Sequence, residues 1–395
     1  MPHFLAHFNS NALNYPLESG DFCFIKELIS LKNSYKSYVY ASFKNQVFLL
    51  QKIKRSNDFL IKTEKATPLD REIAKSALRA YAQFFDVKSH NLQENSRHAS
   101  EKKALKLDNL EQFLKRCNQP ILIEIGFGSG RHLLELARNN PNKICLGIEI
   151  YTPSIAQVLK QVELQNLSNL IVLQADARLV LESMHNQTCE KIFVHFPVPW
   201  NDKKHRRVLS ERFLNEALRV LKVGGMLELR TDDEIYFKDS LNLVLENPKA
   251  HVEIKKNAPS SVVSKYEARW NKLEKNIYDL RVIALKEAYS LEKPSNFNFS
   301  FETLRGLDEK MERLLKTPKR VKEGYFVHVC NAYTNCGEYL IELSLGDFDW
   351  PMRLFVRISN GGKEVSYLNK TPLKTLANYK AHQLLANILK QEEGC

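Results

Sequence analysis

No apolar run in the sequence approaches the ~20 residues that a membrane-spanning helix needs; Val47–Leu50 and Ile121–Ile125 are strand-sized. No membrane partner is therefore expected. Glycine and proline are sparse, 14 of each in 395 residues, which excludes collagen-like and low-complexity chains. Seven cysteines are scattered without a C-x-x-C pair, and Cys330 and Cys336 lie six apart without histidine partners. That usage reads as reduced thiols in a cytoplasmic protein, with neither a disulfide framework nor a metal site. The start, Met1-Pro-His-Phe-Leu-Ala-His-Phe, lacks the basic residues and apolar stretch of a signal peptide. What remains is 44% hydrophobic and 26% charged, the balance of a globular chain long enough for two or three cores.

Lys and Arg outnumber Asp and Glu by 58 to 46, for a net charge of +12 and a pI near 9.2. The excess is uneven: +7 in residues 1–120, +3 in 121–294 and +2 in 295–395. A basic excess attracts phosphate backbones and speeds encounter with them, without proving that nucleic acid is the partner.

Three domains are expected: residues 1–104, 105–290 and 291–395. In the first, Asp21–Ile29, Tyr38–Phe43, Gln46–Lys52 and Phe59–Lys62 have the β-branched and aromatic content of strands. A helix starts at Pro68-Leu-Asp70 with Ile73, Leu78, Tyr81 and Phe84 on one side, and Ser89–Lys103 reads as a linker. The middle segment alternates strand and helix. Strands are expected at Ile121–Ile125, Ile144–Ile148, Leu170–Leu173, Lys191–His195 and Met226–Arg230. Helices follow over 130–140, 153–166, 177–185, 211–222 and 233–246. This is the pattern of a mostly parallel sheet covered on both faces. Val252–Lys256 and Ile277–Ile283 would be late antiparallel strands. The tail offers a helix over 302–317, strands at Tyr325–Val329, Tyr339–Leu343 and Arg353–Ile358, a turn at Asn360-Gly-Gly362 and a helix over 372–391.

Directly after the first parallel strand stands Glu124-Ile-Gly126-Phe-Gly128-Ser-Gly130-Arg-His132. Alternate glycines let a backbone turn tightly and approach a ligand at the carboxyl edge of the sheet. The spacing G-x-G-x-G differs from the G-x-G-x-x-G of dinucleotide sites. The second strand ends in Gly147-Ile-Glu149, a carboxylate placed to accept from two vicinal ribose hydroxyls. After the third, Ala175-Asp176-Ala177 suits an adenine amino group, or else caps the next helix. The set resembles the class I S-adenosylmethionine-dependent methyltransferases, and acidic residues suit a cationic sulfonium. The fourth strand leads into Phe196-Pro197-Val198-Pro199-Trp200 and then Lys203-Lys204-His205-Arg206-Arg207. Two prolines make a rigid loop, and basic side chains beside an aromatic suit phosphate contact and base stacking. A solvated helix entrance beside a buried tryptophan would look similar.

With Arg230-Thr-Asp232, these motifs resemble the bacterial tRNA (guanine(46)-N7)-methyltransferase family over about residues 120–285. The resemblance implies a Rossmann-like class I methyltransferase sheet carrying N- and C-terminal α+β extensions. It implies S-adenosylmethionine as cofactor and tRNA as partner. Glu124, Gly126, Gly128, Glu149 and Asp176 become cofactor residues, and Lys203 and Asp232 substrate residues. Ser264-Lys-Tyr266-Glu267 stands where the family has Thr-x-Phe/Tyr-Glu, so Ser264 and Glu267 join the substrate set. One departure matters: the family loop reads Pro-Asp-Pro-Trp, and Val198 replaces its aspartate. Asp202 or Asp232 are candidates to substitute. The leading expectation is an active tRNA guanine-N7 methyltransferase. Alternatives are the same fold acting on another RNA or on protein, and a tRNA-binding protein that has lost catalysis.

Overall fold

The computed structural model describes residues 2–8, 13–44, 46–67, 69, 71–93, 104–105, 109–117, 119–247, 250–259, 275–288, 297–348 and 351–390. They form two compact units, one from Arg97–Lys293 and one joining Met1–Ser96 to Pro294–Cys395. Among the described residues no helix is long and apolar enough to cross a membrane.

The middle unit is a seven-stranded sheet of β1 (Ile121–Ile125), β2 (Ile144–Glu149), β3 (Leu170–Gln174), β4 (Cys189–His195), β5 (Leu221–Thr231), β6 (Ala250–Lys256) and β7 (Tyr278–Ala284). Their order is β3-β2-β1-β4-β5-β7-β6. Strands β1 to β5 pair in parallel, and β7 runs antiparallel to both its neighbours. Both late strands thus make antiparallel pairs, as expected. Because β7 lies between β5 and β6, β6 points the same way as the parallel set.

Helices cover both faces: α1 (Leu110–Arg116), α2 (Arg131–Asn139), α3 (Thr152–Leu164), α4 (Ala177–Ser183), α5 (Glu211–Val220) and α6 (Glu234–Leu245). On one face, Leu133 of α2 and Val158 and Val162 of α3 pack with Leu122, Cys145 and Val172. On the other, Leu110, Val180, Phe213 and Tyr236 pack with Ile123, Ile148 and Leu229. Strands buried on both faces read as continuous apolar runs, which is why the bounds of β1, β2 and β3 were readable to within a residue; β5 begins at Leu221, ahead of the expected Met226 and inside the helix expected over 211–222. The strand order reverses between β1 and β4, so the crevice at their carboxyl ends is the place where such folds bind ligands.

The flanking segments 1–104 and 291–395, expected as two α+β extensions, contribute strands to a single 12-stranded sheet. Phe22–Ser30 meets Tyr325–Asn335 through the pairs Ser30–Tyr333 and Ile29–Thr334. Helix Arg71–Ala82 buries Ala77, Leu78 and Tyr81 on the N-terminal strands, while Leu307–Lys316 and Leu376–Lys390 cover the C-terminal ones. Pro68 and Asp70, expected to start the first helix, lie outside the described residues. The expected linker begins inside a strand, since Ser89 and His90 pair with Leu5 and Phe4; its residues 94–103 lie outside the described set.

A buried polar knot crosses the junction of the two flanks. Arg353 donates to Glu342 at 2.6 Å and to Glu64 at 3.2 Å. Tyr333 donates to Glu342 and Tyr38 to Glu64, both at 2.7 Å, and Lys36 reaches Glu342 at 3.0 Å. Burial pushes the Glu342 carboxyl up, but Tyr333, Lys36 and Arg353 outweigh it and hold it below the usual range. A carboxyl lowered by folding adds stability above its unfolded value, and that stability is lost as pH falls through its folded value. Glu342→Gln should therefore cost about 2 kcal/mol at neutral pH, less than a fully dry pair because Arg353 can rehydrate. Denaturant titration should show the gap to wild type closing below about pH 4; a pH-independent gap would remove the charge from the explanation.

Candidate active site

The glycine loop opens at the carboxyl end of β1. Gly126, Gly128 and Gly130 take φ of +68°, +51° and +73°, a region that L side chains rarely adopt. Gly130 also lacks room: a β-carbon there would lie 2.2 Å from Cγ2 of Val158, so its hydrogen lets α2 approach α3. Above Gly126 an added β-carbon would meet nothing within 4 Å, and above Gly128 only a backbone oxygen at 4.0 Å. The loop is closed below and open above, the shape of a ligand cradle.

Three carboxylates follow three strands, in three environments. Glu149 accepts from the Gly128 amide at 3.2 Å on one oxygen, and from Ile150 and Tyr151 amides at 2.8 and 3.0 Å on the other. It therefore ties the loop after β1 to the turn after β2. A carboxylate has about four acceptor sites, so one remains for a ligand hydroxyl. Asp176 caps α4, accepting from the Arg178 amide at 3.0 Å, and Arg178 also forks onto it at 2.9 and 2.7 Å. The capping role weighed from the sequence is real. Glu124 is 3% exposed and bonds Nδ1 of His132 at 2.9 Å.

The fourth strand delivers the proline loop. Phe196 and Trp200 sit at φ of +49° and +45°, so a strained residue stands at each end of the Pro-Val-Pro segment. Val198 is 60% exposed and Trp200 38%, with the Arg206 guanidinium 5.1 Å over its ring. The basic run is not uniform. Lys203, His205 and Arg206 are exposed. Lys204 is occupied by Asp239 at 2.8 Å. Arg207 is buried and clamps the loop: it donates to the Pro199 carbonyl at 2.6 Å, Asn201 at 2.8 Å and Asp239 at 2.6 Å, and stacks on Tyr236 at 4.8 Å. Lys204 first, then Arg207, holds the Asp239 carboxyl below the usual range. The expectation that all of Lys203–Arg207 faces phosphate is corrected for Arg207, whose fork is consumed by the loop.

Asp202 is exposed in the turn that follows Trp200. Asp232, just beyond β5, lies 3.4 Å from Lys275. Its neighbour Asp233 caps α6 and accepts from Asn201, joining the proline loop to that helix. Ser264 and Glu267 lie outside the described residues. Sequence reasoning passed over His132, His195, Glu228 and Arg281. Nε2 of His195 bonds Glu228 at 2.9 Å, and Arg281 bonds the other Glu228 oxygen at 2.7 Å. Burial raises the Glu228 carboxyl, but His195 and Arg281 bring it down to about 2. The only signal was His195 at the end of a strand and His132 just past the glycines. Among the described residues no three His, Cys, Asp or Glu side chains gather as metal ligands.

A family model described as "Putative methyltransferase" matches residues 118–280. The tRNA (guanine-N(7)-)-methyltransferase of Helicobacter acinonychis (strain Sheeba) is 67% identical over 395 residues, covering 99% of this chain and 98% of the relative. Its namesake in Helicobacter pylori (strain J99) is 65% identical over 393 residues, covering 100% and 98%. That of Campylobacter jejuni (serotype O:6) is 36% identical over 394 residues, covering 99% of each. The likeness to these relatives includes both flanking segments.

Arg207→Lys keeps the charge and loses the planar fork. It should cost about 1–2 kcal/mol, since the half-buried Pro199 carbonyl and the exposed Asn201 lose a charged donor. Hydrogen exchange should show the Lys203 and Arg206 amides losing protection. Unchanged exchange would mean that the prolines alone hold the loop.

Proposed function

Because the chain belongs to the tRNA (guanine-N(7)-)-methyltransferase family, we infer that it methylates N7 of a guanine in tRNA, the guanine at position 46 of the variable loop. The observation that carries this reading is the pairing of an open glycine cradle on β1 with a rigid, exposed Pro-Val-Pro-Trp loop on the adjacent β4. The open space above Gly126 and Gly128 and the spare acceptor site of Glu149 fit S-adenosylmethionine, which supplies an electrophilic methyl group when bound. Glu149 would accept from one ribose hydroxyl, Glu124 would act from below the loop, and Asp176 would meet the adenine end while capping α4.

N7 of neutral guanine carries a lone pair and no proton. Its attack forms the N–CH3 bond as the C–S bond breaks, the electron pair leaves on sulfur, and positive charge develops on the purine. No proton has to be removed, so the protein's task is to orient the base and tolerate that charge. Trp200 offers a stacking face, and Lys203 and Arg206 offer phosphate contacts. Asp202 and Asp232 are the carboxylates placed near enough in sequence to the loops to meet the charge that Val198 does not.

The wild-type chain should therefore convert unmodified tRNA to N7-methylguanosine-containing tRNA in a single-turnover assay with labelled cofactor. Val198→Asp should be tolerated and speed the step by ~5-fold at most, because a carboxylate at an exposed position acts through a high dielectric. Exposure of Val198 also keeps its desolvation cost small. An inactive wild type with an active Val198→Asp variant would instead favour a tRNA-binding protein that has lapsed as a catalyst.

A further inference from the structure

The glycine loop is closed by a bond between its two ends. Glu124 is the penultimate residue of β1 and His132 lies in the first turn of α2, so their 2.9 Å contact spans the whole of Ile125–Arg131. We propose that His132 is a positioning residue for the cofactor: as an imidazolium bonded to Glu124 it clasps the two ends of the glycine loop and holds the loop ready for ligand. The inference rests on the reading of that loop as the cofactor site.

The surroundings of His132 determine where the proton sits. Its ring meets Phe193 at 4.9 Å and His195 at 4.5 Å between centroids, both from β4. Glu124 faces it from β1, and Glu228 and Arg230 act on it from β5. Glu228 already has a cation in Arg281 at 2.7 Å, whereas the contact described for Glu124 is His132. Burial lowers the His132 value, but the bond and charge of Glu124 and the charge of Glu228 outweigh burial and the opposing Arg230, leaving it raised. The clasp is an ion pair below that raised value and becomes a hydrogen bond from a neutral ring to the Glu124 carboxylate as pH rises through it. The Coulomb attraction between the two charges is then lost, so the loop loosens toward alkaline pH.

The test is calorimetric affinity for S-adenosylhomocysteine across about pH 6 to 9, using the full chain as wild type and as His132→Gln. Glutamine keeps a donor to Glu124 and cannot titrate. Wild type should lose about three- to tenfold in affinity across this range beyond any loss seen in the variant. The variant should be weaker at the acid end and converge on wild type at the alkaline end; titration of the ligand's own amine cancels in the comparison. At saturating cofactor, the single-turnover rate of the variant should match wild type, which a general loss of structure would not allow. Parallel affinity profiles for the two proteins would overturn the proposal. Absence of binding by wild type at every pH would instead overturn the cofactor reading of the loop. Should His132→Gln fail to fold, the same question is answered on wild type by carbon NMR of labelled imidazoles. Ligand should raise the His132 midpoint, and an unmoved midpoint overturns the clasp.

Discussion

Where parallel strands stop, backbone amides lose their sheet partners, and a carboxylate that satisfies them is committed to structure before any ligand arrives. Glu149 is the clearest instance, accepting from amides of the loop after β1 and of the turn after β2. Glu124 and Asp176 share this double duty through His132 and Arg178. The arrangement has a chemical benefit. Acids fixed by the protein's own donors meet a ligand already oriented, so little ordering entropy remains to be lost on binding. Their placement also depends on the glycine loop, which can reach Glu149 only because its residues adopt positive φ.

On the proposed reading, the proline loop obeys a second economy. A nucleophile without a proton needs no base, and a loop that only orients a base can dispense with a carboxylate at its tip. Rigidity then matters more than charge, and here it comes from two prolines and from Arg207 beneath them. The strained Phe196 and Trp200 persist because the surrounding contacts over-determine the loop. Val198 becomes intelligible in this light: at an exposed position, the charge it lacks is worth little.

Much of this was legible in the sequence. Strands β1 to β4 announced themselves as apolar runs, and the glycine and proline motifs marked the two loops that converge on one edge. What was not legible depends on contacts between residues far apart in sequence. The strand pairing and the polar knot that join the two flanks link residues about 300 positions apart, which no local pattern records. The strands His3–Ala6, Val87–His90, Lys319–Lys322 and Glu364–Tyr367 are too short to show alternation. The direction of β6 was set by β7 lying beside β5, a topological choice. Arg207 looked like its basic neighbours because a charge run does not reveal which member faces inward. His195 gave no motif, since its partner Glu228 lies on another strand, and His132 stood at the end of the glycine motif with nothing to show that it bonds the Glu124 that opens it.

The central claim is that methyl transfer in this site needs positioning and no base. The direct measurement is the single-turnover rate constant at saturating cofactor and tRNA across about pH 6 to 9, where any essential base would titrate. The account predicts a flat profile, with pH acting on cofactor affinity alone. A rate that climbs tenfold per pH unit before reaching a plateau would show that a group must lose its proton for the chemistry, and would contradict it.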